Sequence, residues 1–240
     1  MVKEKKTREF RSEEDRREDL AKRLARMARL GYRKAPGVQE MFRELGLKPR
    51  DIQDREDLSL LPVLSRERLV ALEKERPPFG GLAREDRPFQ RVFTSPGPVY
   101  EPHLDEGSLW AAGYRAAGIG KGDVVLNAFS YHMVAAGLTF HEGLRACGAT
   151  VVPSGTSSTE LQVQLIRDLG VTAYTGTPSF LMAIISKAEE TGHDFRKDFS
   201  IRRAVFVAEP LRPAVRETLE TKYGIDTYQM YGATEVGDIA

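Results

Sequence analysis

Cysteine is almost missing from this chain: Cys147 stands alone among 240 residues. A single thiol builds no internal disulfide framework and fits a reducing compartment. The four histidines (His103, His132, His141 and His193) stand at no metal-ligating spacing and have no Asp/Ser or Cys partner in a recognisable pattern, so structural roles are their default. No apolar run approaches the roughly 18 residues of a membrane span. The opening Met1-Val-Lys-Glu-Lys-Lys6 runs into charge rather than an apolar core, so no signal peptide is expected and the location expected is cytoplasmic. A net charge of +1 gives no overall pull toward nucleic acid or membrane, and neither is expected as a partner. There is no internal repeat and no GxxxxGK[ST] phosphate loop. What remains, 30% charged and 41% apolar residues, is the composition of a soluble globular chain with one large domain or two small ones.

Residues 1–34 are dense in charge, with Leu20, Leu24, Met27 and Leu30 at helical spacing. Acidic residues interleave with the basic ones, so this segment reads as the solvated face of a packed helix rather than a nucleic-acid arm, with a docking or coiled-coil seam as the rival reading of the apolar stripe. Residues 36–80 read as short helices broken by Pro and Gly, with Ser65 capping one of them. The run Pro77-Pro-Phe-Gly-Gly81 is the best internal boundary. It separates a helical amino-terminal region, 1–80, from an α/β region, 81–240.

From about residue 89 strands and helices alternate. Strands are expected at Gln90–Thr94, Asp123–Asn127, Ala149–Pro153, Val171–Tyr174, Arg203–Val207 and Ile225–Met230. Helices are expected at Leu109–Ala117, Val134–Cys147, from Thr159, at Ser179–Glu190 and at Pro213–Tyr223. Buried strands between amphipathic helices predict a largely parallel sheet flanked by helices. In such sheets ligands bind at the carboxyl ends of strands, so the loops after Phe93, Asn127, Val152, Tyr174, Val207 and Met230 are the places to look.

Four of these loops could carry chemistry. Thr94-Ser-Pro-Gly97 offers hydroxyls and a flexible backbone to a phosphate, but Pro96, Pro98 and Pro102 remove N–H donors; a rigid turn is the alternative. Phe129, Tyr131 and Val134 could wall a pocket for an aryl or acyl group, or pack as core. Ala208-Glu-Pro210 could let an adenine ring approach the backbone, or form a plain strand-to-helix turn. Tyr231-Gly-Ala-Thr-Glu235 puts an aromatic ring, a hydroxyl and a carboxylate behind a strand. The ring suits stacking, the hydroxyl a phosphate, and the carboxylate Mg2+.

Taken in order, these pieces resemble the amino-terminal part of the phenylacetate–CoA ligase family, within the adenylate-forming acyl/aryl-CoA ligases. The resemblance runs from about Tyr32 to the end. It is carried by Glu44-Leu-Gly-Leu-Lys-Pro49, Glu56-Asp-Leu-Ser-Leu-Leu-Pro62, Gly137-Leu-Thr-Phe-His-Glu-Gly143, Gly148-Ala-Thr-Val-Val-Pro153, Thr159-Glu-Leu-Gln-Val-Gln-Leu-Ile166, Thr177-Pro-Ser179, Ala208-Glu-Pro210 and Tyr231-Gly-Ala-Thr-Glu235. It implies ATP, Mg2+ and CoA, with a small aryl or acyl carboxylic acid as substrate. It implies that Glu235 ligates the metal and Thr234 meets the α-phosphate. Thr94, Ser95 and Gly97 would contact phosphates; Ala208, Glu209, Pro210, Tyr231, Gly232 and Ala233 would frame the nucleotide; and Phe129, Tyr131 and Val134 would line the acid pocket.

Three departures stand out. The family's phosphate loop is close to Ser-Ser-Gly-Thr-Thr-Gly-Lys-Pro, whereas this chain lacks the Lys and has Glu101 nearby. Val207 stands where the family has Gly. The chain also stops before the family's ribose-binding Asp and its carboxyl-terminal domain with the catalytic Lys. The expectation is therefore an incomplete adenylate-forming large domain, completed by a carboxyl-terminal domain or subunit in trans, with a homodimer as a further candidate partner. The rival is a non-catalytic homologue that binds an adenylate or acyl ligand.

Overall fold

The computed structural model describes residues 11–86, 88–103 and 109–240. The chain divides into two compact units, the boundary falling after His103.

The first unit opens with helix α1 (Glu13–Lys34), started by Ser12, whose Oγ accepts from Asp15 N at 3.1 Å. Its buried residue is Ala25, while Leu20 and Met27 of the expected apolar stripe are exposed. Helix α2 (Pro36–Glu44) lies close at Gly31, where a side chain would press on Val38. Tyr32 meets Phe42 edge-on at 5.8 Å. Short 3-10 turns at Pro49–Asp51 and Glu56–Leu60 lead to helix α3 (Arg66–Glu75), capped by Ser65 as expected.

Strand β1 (Arg91–Ser95) departs from the reading of the sequence. It does not join a parallel sheet. It pairs antiparallel with β2 (Val99–His103), Ser95 opposite Val99, so residues 96–98 form the turn of a hairpin. The hairpin is tied to α3 by the buried Glu73, whose Oε2 accepts from Tyr100 N at 2.9 Å. That tie puts the hairpin with the helices, and moves the boundary from Gly81 to the end of β2. Pro102 and Glu101 concealed β2, because prolines and charges are sparse in strands except at sheet edges.

The second unit contains α4 (Ala111–Ala116), β3 (Val124–Asn127), α5 (Ala135–Ala146), β4 (Thr150–Val152), α6 (Thr159–Asp168), β5 (Ala173–Gly176), α7 (Pro178–Glu190), α8 (Phe195–Asp198), β6 (Arg203–Phe206), α9 (Pro213–Glu217) and β7 (Asp226–Gln229). A π-type turn, Thr218–Lys222, interrupts the expected last helix. Ser158 rather than Thr159 caps α6, its Oγ accepting from Leu161 N. Beyond β7, β8 (Gly232–Ala233) and β9 (Gly237–Asp238) form a small antiparallel hairpin.

Strands β4-β3-β5-β6-β7 form one parallel sheet in that order. Alternate side chains feed two cores. Leu126, Tyr174 and Phe206 pack with Val163, Ile166, Leu181, Ile184 and Ile185 of α6 and α7. Val125, Ala173 and Val205 pack on the other face with Tyr114, Phe140 and Leu144 of α4 and α5. The order reverses direction at β3, since β4 lies on one side of it and β5 on the other. In doubly wound sheets the ligand crevice opens at this point, outside the carboxyl ends of the strands.

Candidate functional site

Asn127, the last residue of β3, is fully buried and organises the loop that follows. Its Nδ2 donates to Tyr131 Oη at 2.8 Å and to Gly137 O at 2.9 Å, and its Oδ1 accepts from Phe129 N at 3.2 Å. Its carbonyl accepts from Gly155 N and Ser154 Oγ in the loop after β4. Tyr131 Oη in turn lies 3.1 Å from His141 Nδ1 on α5. Burial pushes the Tyr131 phenol up to about 12. Burial, then the nearby Arg145 charge, lowers the His141 pKa, which favours the neutral imidazole that can accept from Tyr131. A side chain at Gly137 would collide with the Ser130 carbonyl, so the loop closes onto α5 only at a glycine. Phe129 and Tyr131 are each half-buried, against Phe140 and His141 respectively, while Val134 is exposed as the residue before α5.

The next two strands send out the second loop. Val207 N donates to Gly176 O at 3.3 Å, and Leu211 N donates to Gln229 Oε1 at 3.3 Å. Ala208 between them has φ +70°, the left-handed region that L residues avoid at a cost of about 1–2 kcal/mol. Glu209 reaches across to the start of α7, where its Oε2 accepts from Ser179 Oγ at 2.6 Å.

The third segment leaves β7 beside the second, with Met230 N donating to Phe206 O at 2.9 Å. Tyr231 is 68% exposed. Its carbonyl accepts from Ile239 N, and Val236 N donates to Ala233 O, so Thr234 and Glu235 sit in the turn of the β8–β9 hairpin. Gly232 cannot carry a side chain, because it would strike Gly237 O and the Trp110 ring. Asp238 pins the hairpin to α4, its Oδ2 accepting from Gly113 N at 3.1 Å. Asp238 Oδ1 is buried without a hydrogen-bond partner among the described residues, and burial raises the carboxyl pKa.

An aromatic wall joins the first segment to the third. The Phe129 ring meets Phe140 at 4.7 Å, Phe140 meets Trp110 at 4.6 Å, and Trp110 lies under Gly232. The structure thus gathers the loops holding Phe129, Tyr131 and Val134, then Ala208, Glu209 and Pro210, then Tyr231, Gly232, Ala233, Thr234 and Glu235 along one sheet edge.

Thr94, Ser95 and Gly97 belong to the first unit, in and beside the β1–β2 turn. There Ser95 Oγ donates to the buried Glu101 carboxylate and accepts from Arg66 Nη1, which also donates to Pro96 O. The hydroxyl proton is therefore directed at Glu101. No group of three or more His, Cys, Asp or Glu gathers for a metal among the described residues. Glu235 contributes a single carboxylate in the turn of the β8–β9 hairpin. Cys147 is a partly buried thiol near the Ala111 carbonyl, its pKa raised by burial, the profile of an unreactive packed cysteine.

Sequence reading gave no role to Asn127, Trp110, Ser179 or Asp238. Asn127 carried a signal as a polar residue ending an apolar strand, where burial demands hydrogen-bond partners, and Ser179 stood in one of the motifs that carry the resemblance.

The open parallel sheet carries the Phe129 loop at its switch point and the Ala208 and Tyr231 loops further along the same carboxyl edge, where such sheets bind ligands. Residues 106–240 match the family of AMP-binding enzymes, and the chain belongs to that family. It is similar to the phenylacetate-coenzyme A ligase of Aromatoleum evansii, 31% identical over 223 residues, covering 89% of this chain and 50% of that protein. The phenylacetate-coenzyme A ligase of Pseudomonas putida is 30% identical over 229 residues, covering 92% of this chain and 51% of that protein. Among solved structures, a 2-hydroxyisobutyryl-CoA ligase in the postadenylation state superposes with a TM-score of 0.83 at 22% identity, covering 94% of this chain and 50% of that one. The chain spans about half the length of the curated relatives it matches.

Proposed function

We propose that this chain supplies the nucleotide- and acid-binding part of an AMP-forming acid–CoA ligase of the phenylacetate–CoA ligase type. The observation that carries the reading is the convergence of the Phe129, Ala208 and Tyr231 loops on one carboxyl edge, with Phe129 and Gly232 sharing the Phe140–Trp110 wall.

In this reading the backbone of Ala208–Pro210 forms a shelf for adenine and the exposed Tyr231 ring covers it. Phe129 and Tyr131, with Val134 at the rim, give the acid an apolar wall. The Tyr131 hydroxyl is already committed to Asn127 and His141, so the wall favours an aryl or alkyl acid. The acid's carboxylate oxygen attacks the α-phosphorus of ATP, and pyrophosphate leaves with the electron pair of the broken P–O bond. The sulfur of CoA then attacks the acyl carbonyl, and AMP departs. The difficulty is charge: an anion must approach an anion. Thr234 would donate to an α-phosphate oxygen. Glu235 would hold Mg2+, which when bound neutralises phosphate charge. Thr94, Ser95 and Gly97 are assigned to the phosphates by resemblance; Ser95 would have to turn its proton away from Glu101 to serve. The remaining half of the machinery comes from a further domain or subunit, and a homodimer belongs to the same proposal. On this reading the protein works in the cytoplasm, which suits a lone thiol.

Pyrophosphate exchange into ATP, dependent on phenylacetate and Mg2+, tests the proposal in the 240-residue chain and with a supplied carboxyl-terminal domain. Exchange in either case supports it. Saturable AMP binding with no exchange in both favours the second reading, a non-catalytic adenylate binder, for which the Ser95–Glu101 pairing speaks.

A further inference from the structure

We infer that Ser179 and Glu209 form a latch that sets the shape of the Ala208–Pro210 shelf, so that Glu209 serves a nucleotide by position and Ser179 is a positioning residue of the same site. The inference rests on the adenylate reading above and gives Glu209 a different role within it.

Three holds fix this loop, two on neighbouring strands and one on helix α7. Val207 N is bound to the end of β5 through Gly176 O. Leu211 N is bound to Gln229 Oε1 on β7. The third hold is the only one of these made by a charge. Glu209 Oε2 accepts from Ser179 Oγ at 2.6 Å, and Ser179 N points at the same oxygen from 3.4 Å. Ser179 follows Pro178 at the start of the 13-residue helix α7, where the N-cap Thr177 Oγ1 already accepts from Phe180 N. The first turn of a helix has unsatisfied N–H groups and a partial positive charge, and a carboxylate there is stabilised. Glu209 therefore has a strong reason to stay on α7 rather than turn toward a ligand.

The latch has work to do because of Ala208. A non-glycine residue at φ +70° relaxes to a commoner backbone unless its flanks are held. Val207 N holds one flank, and Glu209 is the next residue on the other. With both fixed, the Ala208 carbonyl and the Glu209 amide keep one direction at the carboxyl edge. A flat aromatic base recognised by backbone groups needs that fixed direction, since a preorganised surface loses less freedom on binding.

The test uses the 240-residue chain, with AMP as the probe in titration calorimetry and hydrogen exchange as an independent reading. Ser179→Ala and Glu209→Gln should each weaken AMP binding about tenfold, the loss of one charge-assisted hydrogen bond. The double variant should be no weaker than either single one, because the two act as a unit. Ser179→Thr, which keeps the hydroxyl, should stay within about twofold of the parent on the same reasoning. In the absence of AMP, both single variants should speed exchange at the hydrogen-bonded Val207 and Leu211 amides and leave the Ala204 and Val205 strand amides unchanged. Two results overturn the latch: unchanged exchange at Val207 and Leu211, or a Glu209→Gln loss that Ser179→Ala does not share, which would mean that Glu209 touches the nucleotide directly. No AMP binding by the parent chain overturns the adenylate reading and the latch's part in it, while exchange still reports whether the two side chains hold the loop.

Discussion

Replacing Asn127 with alanine should be among the most damaging single changes available in the second unit. The side chain is fully buried and makes three hydrogen bonds, donating to Tyr131 Oη and Gly137 O and accepting from Phe129 N. A net value of about 1 kcal/mol for each bond gives a loss of about 3 kcal/mol. Two of the abandoned partners are backbone groups, so their desolvation cost pushes the figure up rather than down. At about 2–4 °C per kcal/mol for a domain of this size, the melting temperature should fall by roughly 6–12 °C. Asn127→Asp is a sharper version of the same test. It keeps the shape but sets an acceptor against the Gly137 carbonyl, and should do at least as much harm near neutral pH. Differential scanning calorimetry of the parent and both variants reads the effect, with near-ultraviolet circular dichroism reporting the Tyr131 environment. A change below about 1 kcal/mol for Asn127→Ala would refute the claim that this residue organises the loop.

His141 and Asp238 should give pH dependences of opposite sign. The folded His141 pKa is depressed, so its stabilising contribution is present above about pH 6.5 and is lost as pH falls through the lower folded value; His141→Gln should flatten that part of a melting-temperature profile. The folded Asp238 pKa is raised, so its contribution is present below the ordinary carboxylate value near 4 and is lost as pH rises through the folded value; Asp238→Asn should remove that trend while keeping an acceptor for Gly113 N. Gly137→Ala should cost about 1–3 kcal/mol in urea denaturation, because the added carbon meets the Ser130 carbonyl and the Tyr131 backbone. Gly232→Ala should be damaging for the same reason against Trp110 and Gly237 O, with loss of the indole's packed fluorescence as its readout.

Much of the second unit was legible because parallel strands buried on both faces read as short apolar runs, most of them followed by an amphipathic helix. Val124–Asn127 and Arg203–Phe206 came within a residue or so of their expected limits for that reason; Asp226–Gln229 did too, although it is a polar edge strand. Periodicity misled at α1, where close helix packing selects Ala25 and Gly31 and leaves Leu20 and Met27 outside. At β1 the strand itself came within a residue of its expected limits, but its partner β2, which carries a charge and a proline, was not foreseen. The Tyr231–Glu235 segment and the aromatic Phe129 loop were visible as motifs at strand ends. Their support was not, because it joins residues distant in sequence: Ser179 with Glu209, Gly113 with Asp238, and Trp110 with Gly232. Contacts of that kind are set by the order of strands in the sheet, which local pattern does not encode.

The most direct measurement is hydrogen exchange of the chain with and without a non-hydrolysable acyl-adenylate, the sulfamoyl analogue of phenylacetyl-AMP. Slowed exchange concentrated at Phe129–Tyr131, Ala208–Leu211 and Gly232–Thr234 is the predicted pattern. Saturable binding that protects some other surface, such as the charged cleft of about 560 Å³ around His193, Arg196 and Lys222, or no protection at saturating analogue, would contradict an adenylate site at the carboxyl edge of this sheet.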